Sequence, residues 1–290
     1  MALIALLAGW AIRILCMSLV GAEPYNATII AWNEVANGLA IFRVRPDGGQ
    51  VPLFEPGQYA TLGLPRDHPP VEDPHEFPPG DPRWKKLWRR DYSIASPATC
   101  RDHLEFYAVR VGGGRLTEKL WLEQEGGRLW LDSHIRGDFT LRGVPSGRTL
   151  VMVATGTGLG PYMSMIRTYR GADRWRRLVL IHGVRRFSEL GYHSELRDLA
   201  AQDSSILYLP ICSREPPDST WTGGRGRVTD LLHAQPFEQL VGFALSPVHC
   251  SVFLCGNPAM IRDAEAILTP QGFTTHTRKR AGNLHAEQYW

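Results

Sequence analysis

The stretch Leu150-Val-Met-Val-Ala-Thr-Gly-Thr-Gly-Leu-Gly-Pro161 decides the fold of this chain. Its first half is a short apolar run typical of a buried strand, and the run leads directly into closely spaced glycines and a proline. Glycines in this position let the backbone approach a phosphate and direct a helix N-terminus towards it. Because the spacing is neither G-x-x-x-x-G-K-[ST] nor G-x-G-x-x-G, the loop alone is equally compatible with a purely structural turn between a strand and a helix.

Strands and helices alternate after this loop. Apolar runs at residues 178–184, 206–212 and 251–255 are each followed by helical patterns or a Pro/Gly-rich loop. Residues 273–277 are expected to form the last strand. Such alternation is typical of βαβ units, which place parallel strands in one sheet with helices on both faces. We therefore predict an α/β domain with a five-stranded parallel sheet at residues 147–290.

The residues before the loop form short β-type runs. Residues 25–32 and 39–45 are rich in β-branched and aromatic residues, and Asn37-Gly38 between them indicates a hairpin. Further short runs lie at residues 57–64, 91–96 and 104–111, near Leu129 and near Phe139. A glycine-rich turn leads into a short amphipathic helix with Thr117 as a candidate N-cap. Six or so short strands and one small helix predict a closed antiparallel β-barrel at residues 23–146.

A proline-rich insertion at residues 65–88 interrupts the predicted barrel. Seven prolines between residues 65 and 82 exclude regular structure and predict a long exposed loop, in which His68 and His75 are solvated. The insertion leads into the basic cluster Arg83-Trp-Lys-Lys-Leu-Trp-Arg-Arg90, which is compatible with a solvated loop end or with contact to an acidic partner.

The composition limits the class of protein. The 290 residues suggest two domains, and a net charge of +3 does not indicate a nucleic-acid-binding protein. Five cysteines without a C-x-x-C pair argue against a disulfide framework, a zinc site and a ferredoxin-type cluster. We expect no metal site and a reducing, cytoplasmic location.

Residues 1–22 form an apolar extension with Arg13 in its middle. A spanning helix needs roughly 20 apolar residues, but a central charge costs about 2.5–3.5 kcal/mol on insertion scales. Three interpretations stay open: a translation start at Met17, a helix in residues 1–20 that contacts a membrane peripherally, and a cleaved signal. The first is preferred.

Three further groups of residues suit nucleotide chemistry. Arg90-Asp-Tyr-Ser93 offers a cation for a pyrophosphate, a flat aromatic for a flavin ring and a small donor near flavin N5, although ordinary strand alternation explains it equally well. Cys255-Gly-Asn-Pro258 follows a later parallel strand, at the edge where ligands bind in open α/β sheets. Arg214 and Arg227 flank a loop at the same edge and suit a ribose 2′-phosphate.

In this order and spacing, these motifs and the terminal Ala286-Glu-Gln-Tyr-Trp290 resemble the bacterial ferredoxin (flavodoxin)–NADP⁺ reductases over roughly residues 25–290. The resemblance implies an FAD-binding antiparallel barrel joined to a five-stranded parallel NADP domain, and we expect a monomer. The apolar extension and the proline-rich insertion have no counterpart in the compact members of that family.

The resemblance also implies site residues. The FAD set comprises Arg90, Asp91, Tyr92, Ser93, Tyr107, Arg115, Leu116, Thr117, Thr157, Tyr289 and Trp290. The NADP set comprises Gly156, Thr157, Gly158, Arg185, Ser213, Arg214, Arg227, Cys255, Gly256, Asn257, Pro258 and Met260. Within them, Ser93 would support flavin N5 and Cys255 would help to position nicotinamide C4, so these two are the expected catalytic residues.

The implied activity is electron transfer between NADP(H) and a ferredoxin or flavodoxin by hydride transfer to or from FAD. Two alternatives stay open. One is a reductase component that serves an oxygenase or reduces ferric chelates or flavins. The other is a noncatalytic flavoprotein subunit, which the paired arginines disfavour because such a subunit needs no 2′-phosphate site.

Overall fold

The computed structural model describes residues 25–66 and 87–289. The expectations for residues 1–22, for most of the insertion at residues 65–88 and for Trp290 therefore lie outside the described residues. In the described part of the chain, no helix is both long and apolar enough to cross a membrane.

The N-terminal sheet is an antiparallel barrel. Its elements are β1 (Ala27–Ala36), β2 (Leu39–Pro46), β3 (Tyr59–Pro65), β4 (Leu87–Ser93), β5 (Leu104–Val109), helix α1 (Thr117–Glu123) and β6 (Arg128–Leu131). The strand order is β4-β3-β6-β1-β2-β5, and neighbouring strands are antiparallel. A bridge between Ile94 and Phe106 joins the residue after β4 to β5. The sheet therefore closes into the barrel that the sequence predicts.

Two details of the barrel differ from the prediction. Phe139 lies in a loop, and its ring packs against Phe253 of the second sheet at a centroid distance of 5.4 Å. Thr117 is the first residue of α1 and not its N-cap. Its hydroxyl accepts a hydrogen bond from the Val111 amide at 3.1 Å, so it stabilises the glycine-rich turn before the helix.

The second sheet is parallel. Its elements are β7 (Thr149–Thr155), α2 (Gly160–Tyr169), β8 (Arg177–Val184), α3 (His193–Gln202), β9 (Ile206–Cys212), β10 (Gly224–Arg225), α4 (Ala234–Val241), β11 (Cys250–Gly256), α5 (Pro258–Leu268) and β12 (Leu284–Gln288). The strand order is β10-β9-β8-β7-β11-β12, with every pair parallel. Five long strands and a two-residue edge strand form this sheet, so the predicted fold class is confirmed. The domain boundary at residues 146/147 stays a prediction.

The last strand of the sheet is not the one predicted. Residues 273–277 contribute only isolated bridges, and β12 pairs with β11 instead. Gly272 adopts φ +91°, which ends the preceding helical turn, and Phe273 is buried in the core. The Thr274 carbonyl then accepts a hydrogen bond from the Leu284 amide at 3.0 Å, so the segment supports β12 from its outer side.

The helices of this half also differ in extent. The helix expected at residues 187–201 begins only at His193, because Tyr192 adopts a left-handed φ of +59° and a short 3₁₀ turn, Phe187–Glu189, precedes it. Helix α4 was not predicted at all. Its Pro236 falls in the first turn, where a missing N–H costs little.

Strand β7 is buried on both faces, which explains its uninterrupted apolar sequence. Leu150, Met152 and Ala154 face one hydrophobic cluster, which contains α2. Val151 and Val153 face a second cluster, which contains α4 and α5. The central strand thus joins both layers of the α/β half.

The barrel and the parallel sheet meet at a buried ion-pair network. Arg167 of α2 donates to Glu105 of β5 at 2.6 Å and to Glu195 of α3 at 2.6 and 2.7 Å. The Tyr192 hydroxyl also donates to Glu105, at 3.0 Å. Despite the desolvation that opposes it, Arg167 and its neighbours keep the pKa of Glu105 below its ordinary value, so the carboxylate is ionised at the junction.

Replacing Arg167 by Met should destabilise the protein strongly. The change keeps the aliphatic stem but leaves Glu105 without its main buried partner, and breaking such a pair costs about 3 kcal/mol. The free energy of unfolding in urea measures the loss. Arg278→Met, which breaks an exposed pair with Asp138, is the control and should cost much less.

Adding Glu105→Gln to Arg167→Met should recover part of the lost stability, since the buried position then no longer holds a carboxylate whose only remaining cation is the half-exposed Arg43. Equal losses in Arg167→Met and Arg278→Met would contradict the role of this network.

Candidate functional site

The glycine loop lies at the point where the strand order of the parallel sheet reverses. From β7 the chain runs outward through β8, β9 and β10 on one side and then returns to β11 on the other side of β7, and ligands bind at such a switch point. Gly156–Leu159 form a 3₁₀ turn between β7 and α2. A Cβ on Gly158 would lie 2.2 Å from the Cys255 carbonyl oxygen, so only glycine allows the loop to pack against the end of β11.

A cavity of about 620 Å³ opens at the carboxyl ends of the parallel strands. Most of the predicted NADP set lines it: Gly156, Thr157, Arg185, Ser213, Arg214, Arg227, Gly256, Asn257 and Met260. Gly158 and Cys255 lie buried behind this wall, and Pro258 starts α5 beside it. The barrel contributes the hairpin residues Asn37 and Gly38 and also Arg110, none of which the sequence analysis assigned to the site.

Three arginines at one end of the cavity are available for an anion. Arg185, Arg214 and Arg227 are exposed, and none forms an ion pair with a carboxylate of the described residues. The Arg214 amide donates to the Arg185 carbonyl at 2.8 Å, which holds the ends of β8 and β9 together. The Ser213 hydroxyl donates to the Val184 carbonyl at 3.2 Å. The loops are thus fixed by their backbones, while the guanidinium groups stay open to solvent.

The other end of the cavity brings the two sheets into contact through Tyr289. This ring lines the cavity, and its hydroxyl donates to Ser93 Oγ of β4 at 2.8 Å. Ser93 Oγ in turn donates to Glu287 Oε1 at 3.3 Å. Because β12 pairs with β11, Glu287 lies opposite Cys255. The two expected catalytic residues, Ser93 and Cys255, therefore meet around Glu287 and Tyr289.

Burial sets the protonation states of this cluster. Desolvation raises the pKa of Glu287 to about 7, although the hydrogen bond from Ser93 opposes the shift. Burial also raises the pKa of the Cys255 thiol and of the Tyr289 hydroxyl well above their ordinary values, and Glu287 adds to both effects. Cys255 and Tyr289 therefore stay protonated at neutral pH, while Glu287 can gain or lose a proton there.

Alternation along β4 separates the rest of the Arg90–Ser93 motif. Tyr92 points into the barrel, where its ring contacts Phe42 and Phe106, and its hydroxyl is buried without a hydrogen-bond partner among the described residues. On the opposite face, Asp91 accepts a hydrogen bond from the Thr61 hydroxyl at 2.6 Å. Arg90 is exposed and, within the described residues, its side chain donates only to the Arg89 carbonyl, so it is available to bind an anion.

The remaining predicted FAD residues differ in which of their groups are available to contact a ligand. Arg115 lies over the Trp88 ring at 4.5 Å, beside the turn that Thr117 stabilises. Leu116 is buried in the barrel core, so only its backbone is available. The Tyr107 hydroxyl donates to the Glu189 carbonyl at 3.0 Å and accepts from the Gly191 amide at 3.2 Å. Tyr107 is thus engaged between the two sheets, and its FAD contact stays a prediction.

Glu287 is the main residue of the site that the sequence analysis did not assign. The sequence feature that could have indicated Glu287 is its position two residues before Tyr289, because residues i and i+2 of an extended segment lie on the same face. In the described residues, no group of three or more His, Cys, Asp or Glu side chains could hold a metal ion.

Comparisons with known proteins point in one direction. The family model of the oxidoreductase NAD-binding domain matches residues 152–266. The chain is 31% identical over 243 residues to the flavodoxin/ferredoxin–NADP reductase of Buchnera aphidicola subsp. Schizaphis graminum, with 83% of this chain and 90% of the relative covered. It is 32% identical over 239 residues to the protein of that name from Escherichia coli (strain K12), with 82% and 88% covered.

A solved structure agrees with these relatives. The ferredoxin NADP⁺ reductase from Neisseria gonorrhoeae, with bound FAD and NADP, matches this chain with a TM-score of 0.75 at 25% identity, covering 92% of this chain and 99% of that one. The resemblance indicated by the sequence motifs is therefore confirmed.

Replacing Glu287 by Gln should change how stability depends on pH. A carboxyl group whose pKa rises from 4.5 to about 7 on folding stabilises the protein fully only below about pH 4.5, and this contribution is lost as pH rises through 7. The Gln variant has no such loss. Its free energy of unfolding relative to wild type should therefore increase by on the order of 2 kcal/mol between pH 5 and pH 8. Urea unfolding at both pH values measures the gain.

Glu238→Gln, an exposed change on α4, is the matched control and should show no pH-dependent gain. A stability difference between Glu287→Gln and wild type that is the same at pH 5 and pH 8 would refute the raised pKa.

Proposed function

This chain belongs to the flavodoxin/ferredoxin–NADP reductase family, and we propose that it transfers electrons between NADP(H) and a ferredoxin or flavodoxin through bound FAD. The observation that supports this most directly is the contact at the inner end of the cavity, the end opposite the three arginines. There Tyr289, at the carboxyl edge of the parallel sheet, reaches Ser93 of the barrel. A nucleotide in the cavity and a flavin on the barrel would therefore meet at these residues.

The barrel residues fit FAD. The buried Tyr92 hydroxyl lacks a partner among the described residues, and Arg90 and Arg115 form no ion pair with a described carboxylate. We assign the pyrophosphate to Arg90 and Arg115, and a hydrogen bond from a polar group of FAD to Tyr92. When bound, FAD accepts a hydride from NADPH and returns electrons singly to the carrier.

The cavity fits a 2′-phosphorylated dinucleotide. Arg185, Arg214 and Arg227 at one end of the cavity pair with no described carboxylate and supply more positive charge than a plain ribose needs, and arginine forms two parallel hydrogen bonds with a phosphate. We assign the 2′-phosphate to Arg185, Arg214 and Arg227, which favours NADP(H) over NAD(H).

Ser93 and Glu287 control one proton beside the flavin site. While Glu287 is ionised, the Ser93 hydroxyl hydrogen is held by the carboxylate. When Glu287 is protonated, it can donate to Ser93 Oγ, and the Ser93 hydrogen is then released to another acceptor. Tyr289 donates to Ser93 in either state because its hydroxyl stays protonated. Cys255 is neutral and fully buried, so we assign it a packing role under the nicotinamide rather than a nucleophilic one.

We further propose that the carrier binds beside the exposed cationic strand β4, that the protein acts as a monomer, and that it is cytoplasmic. Arg89, whose guanidinium lies 4.3 Å above the Trp130 ring, is solvent-exposed on β4, and its positive charge would accelerate encounter with an acidic carrier. The four described cysteines are all free thiols, as suits a reducing compartment.

The purified protein should be yellow, with the absorption bands of oxidised FAD, and rapid mixing with NADPH should bleach them. Subsequent addition of oxidised ferredoxin or flavodoxin should restore the bands and reduce the carrier. Stopped-flow absorbance measures both steps. Colourless protein that also fails to take up added FAD would refute the proposed function.

Replacing Arg214 and Arg227 by Ala should raise KM for NADPH at least about tenfold, because each charge-assisted hydrogen bond contributes about 1.5–3 kcal/mol. KM for NADH should change little. Arg262→Ala, an exposed change on α5, is the control. An equal rise for NADPH and NADH would remove the 2′-phosphate from these arginines.

A further inference from the structure

A chain of three polar side chains runs from the glycine loop to the surface of the α/β half. His182 of β8 is fully buried, and its Nε2 lies 3.3 Å from the Gly156 carbonyl oxygen. Its Nδ1 lies 3.5 Å from the hydroxyl of Tyr208 on β9. That hydroxyl lies 3.4 Å from Nδ1 of His193, the first residue of α3.

The proton positions in this chain are fixed by chemistry. Burial lowers the pKa of His182 to about 4, so the ring is neutral and carries one N–H. The Gly156 carbonyl can only accept, so that hydrogen lies on Nε2, and Nδ1 must accept from the Tyr208 hydroxyl. Having given its hydrogen to His182, Tyr208 can only accept from His193 Nδ1. All three hydrogen bonds therefore point from His193 towards the glycine loop.

The last bond of the chain determines how one peptide group is oriented. In a planar trans peptide, the carbonyl and the N–H point in opposite directions. The Gly156 carbonyl points to buried His182, so the N–H of Thr157 points away from it, on the side where Thr157 lines the cavity. Gly156 adopts φ +54°, a backbone conformation that glycine permits.

The outer end of the chain is also held in place. The His193 ring packs edge-on against Trp221 with centroids 6.0 Å apart, and Trp221 donates through Nε1 to the Gly224 carbonyl at 3.0 Å. His193, the donor that orients Tyr208, is therefore fixed by packing, so the hydrogen-bond chain has one stable arrangement.

We propose that the chain of His182, Tyr208 and His193 holds the Thr157 N–H in position to bind the diphosphate of NADP(H), which makes His182 and Tyr208 positioning residues for the dinucleotide. The proposal rests on the proposed function. Loss of the chain would free the peptide to rotate, and a carbonyl oxygen turned into the cavity would repel the phosphate.

Two ligands distinguish this role from general packing. NADP⁺ carries the diphosphate, whereas 2′,5′-ADP carries the same adenosine half with the 2′-phosphate and a single 5′-phosphate. Dissociation constants for both are measured by titration calorimetry on the FAD-saturated protein. We expect His182→Leu to weaken NADP⁺ binding about tenfold and Tyr208→Phe about threefold, as suits the loss of one or two neutral hydrogen bonds, with 2′,5′-ADP changed less than about twofold.

His182→Gln is the rescue variant. Its amide nitrogen can donate to the Gly156 carbonyl and its oxygen can accept from Tyr208, so NADP⁺ affinity should return to within about threefold of wild type. Tyr169→Phe, which removes a hydroxyl that bonds to no described residue, is the matched control and should bind both ligands like wild type.

The outcomes separate this inference from the proposed function. If wild-type protein fails to bind NADP⁺, both are overturned. If wild type binds NADP⁺ but His182→Leu and Tyr208→Phe leave its affinity unchanged, or weaken both ligands equally, the positioning role is overturned and the proposed function stands. If His182→Leu does not fold, Tyr208→Phe decides by the same criterion.

Discussion

The geometry of the site depends on the ion pair between Arg167 and Glu105. One guanidinium joins helix α2 to the barrel, and it also donates to the Ala95 carbonyl at 3.0 Å, two residues beyond Ser93. The opposite end of the same helix approaches Ser93 directly, because a Cβ on Gly160 would lie 3.6 Å from its carbonyl oxygen. Both ends of helix α2 therefore contact the short barrel segment from Ser93 to Ala95. Without that docking, Ser93 and Tyr289 would belong to two separate surfaces.

The sequence predicted most of the fold because its strongest signals are local. Strand β7 is apolar without interruption, and only a strand buried on both faces needs such a sequence. The last strand was missed because its residues are mixed in polarity, whereas residues 273–277 are richer in β-formers. Tertiary contacts determine which segment pairs with β11. Phe273 is buried in the core, and the segment that begins at Leu284 forms the edge strand beside β11.

The site was predictable to the extent that single residue types imply a chemistry. Arginines beside a glycine loop indicate an anion site from sequence alone, and the structure brings them to one cavity. Glu287 and His182 gave no such signal, because an isolated Glu or His is chemically ambiguous. Strand register gives Glu287 its place opposite Cys255, and burial between β9 and the loop gives His182 its neutral state. Both properties arise from packing rather than from local sequence.

The charges around the cavity are separated along the sheet, and this separation dictates how a dinucleotide would lie. Arg214 follows β9, whereas Glu287 is on β12, four strands away, and strands about 4.8 Å apart make this roughly 19 Å. In the proposed binding mode, the anionic 2′-phosphate would therefore be drawn to one side and the nicotinamide would lie on the other. Among Cys255, Glu287 and Tyr289, only Glu287 titrates near neutral pH, so the inner end is either neutral or singly negative. Because oxidised nicotinamide is cationic and reduced nicotinamide is neutral, ionised Glu287 would favour the oxidised ring in the proposed binding mode, and its protonation would shift the preference towards NADPH.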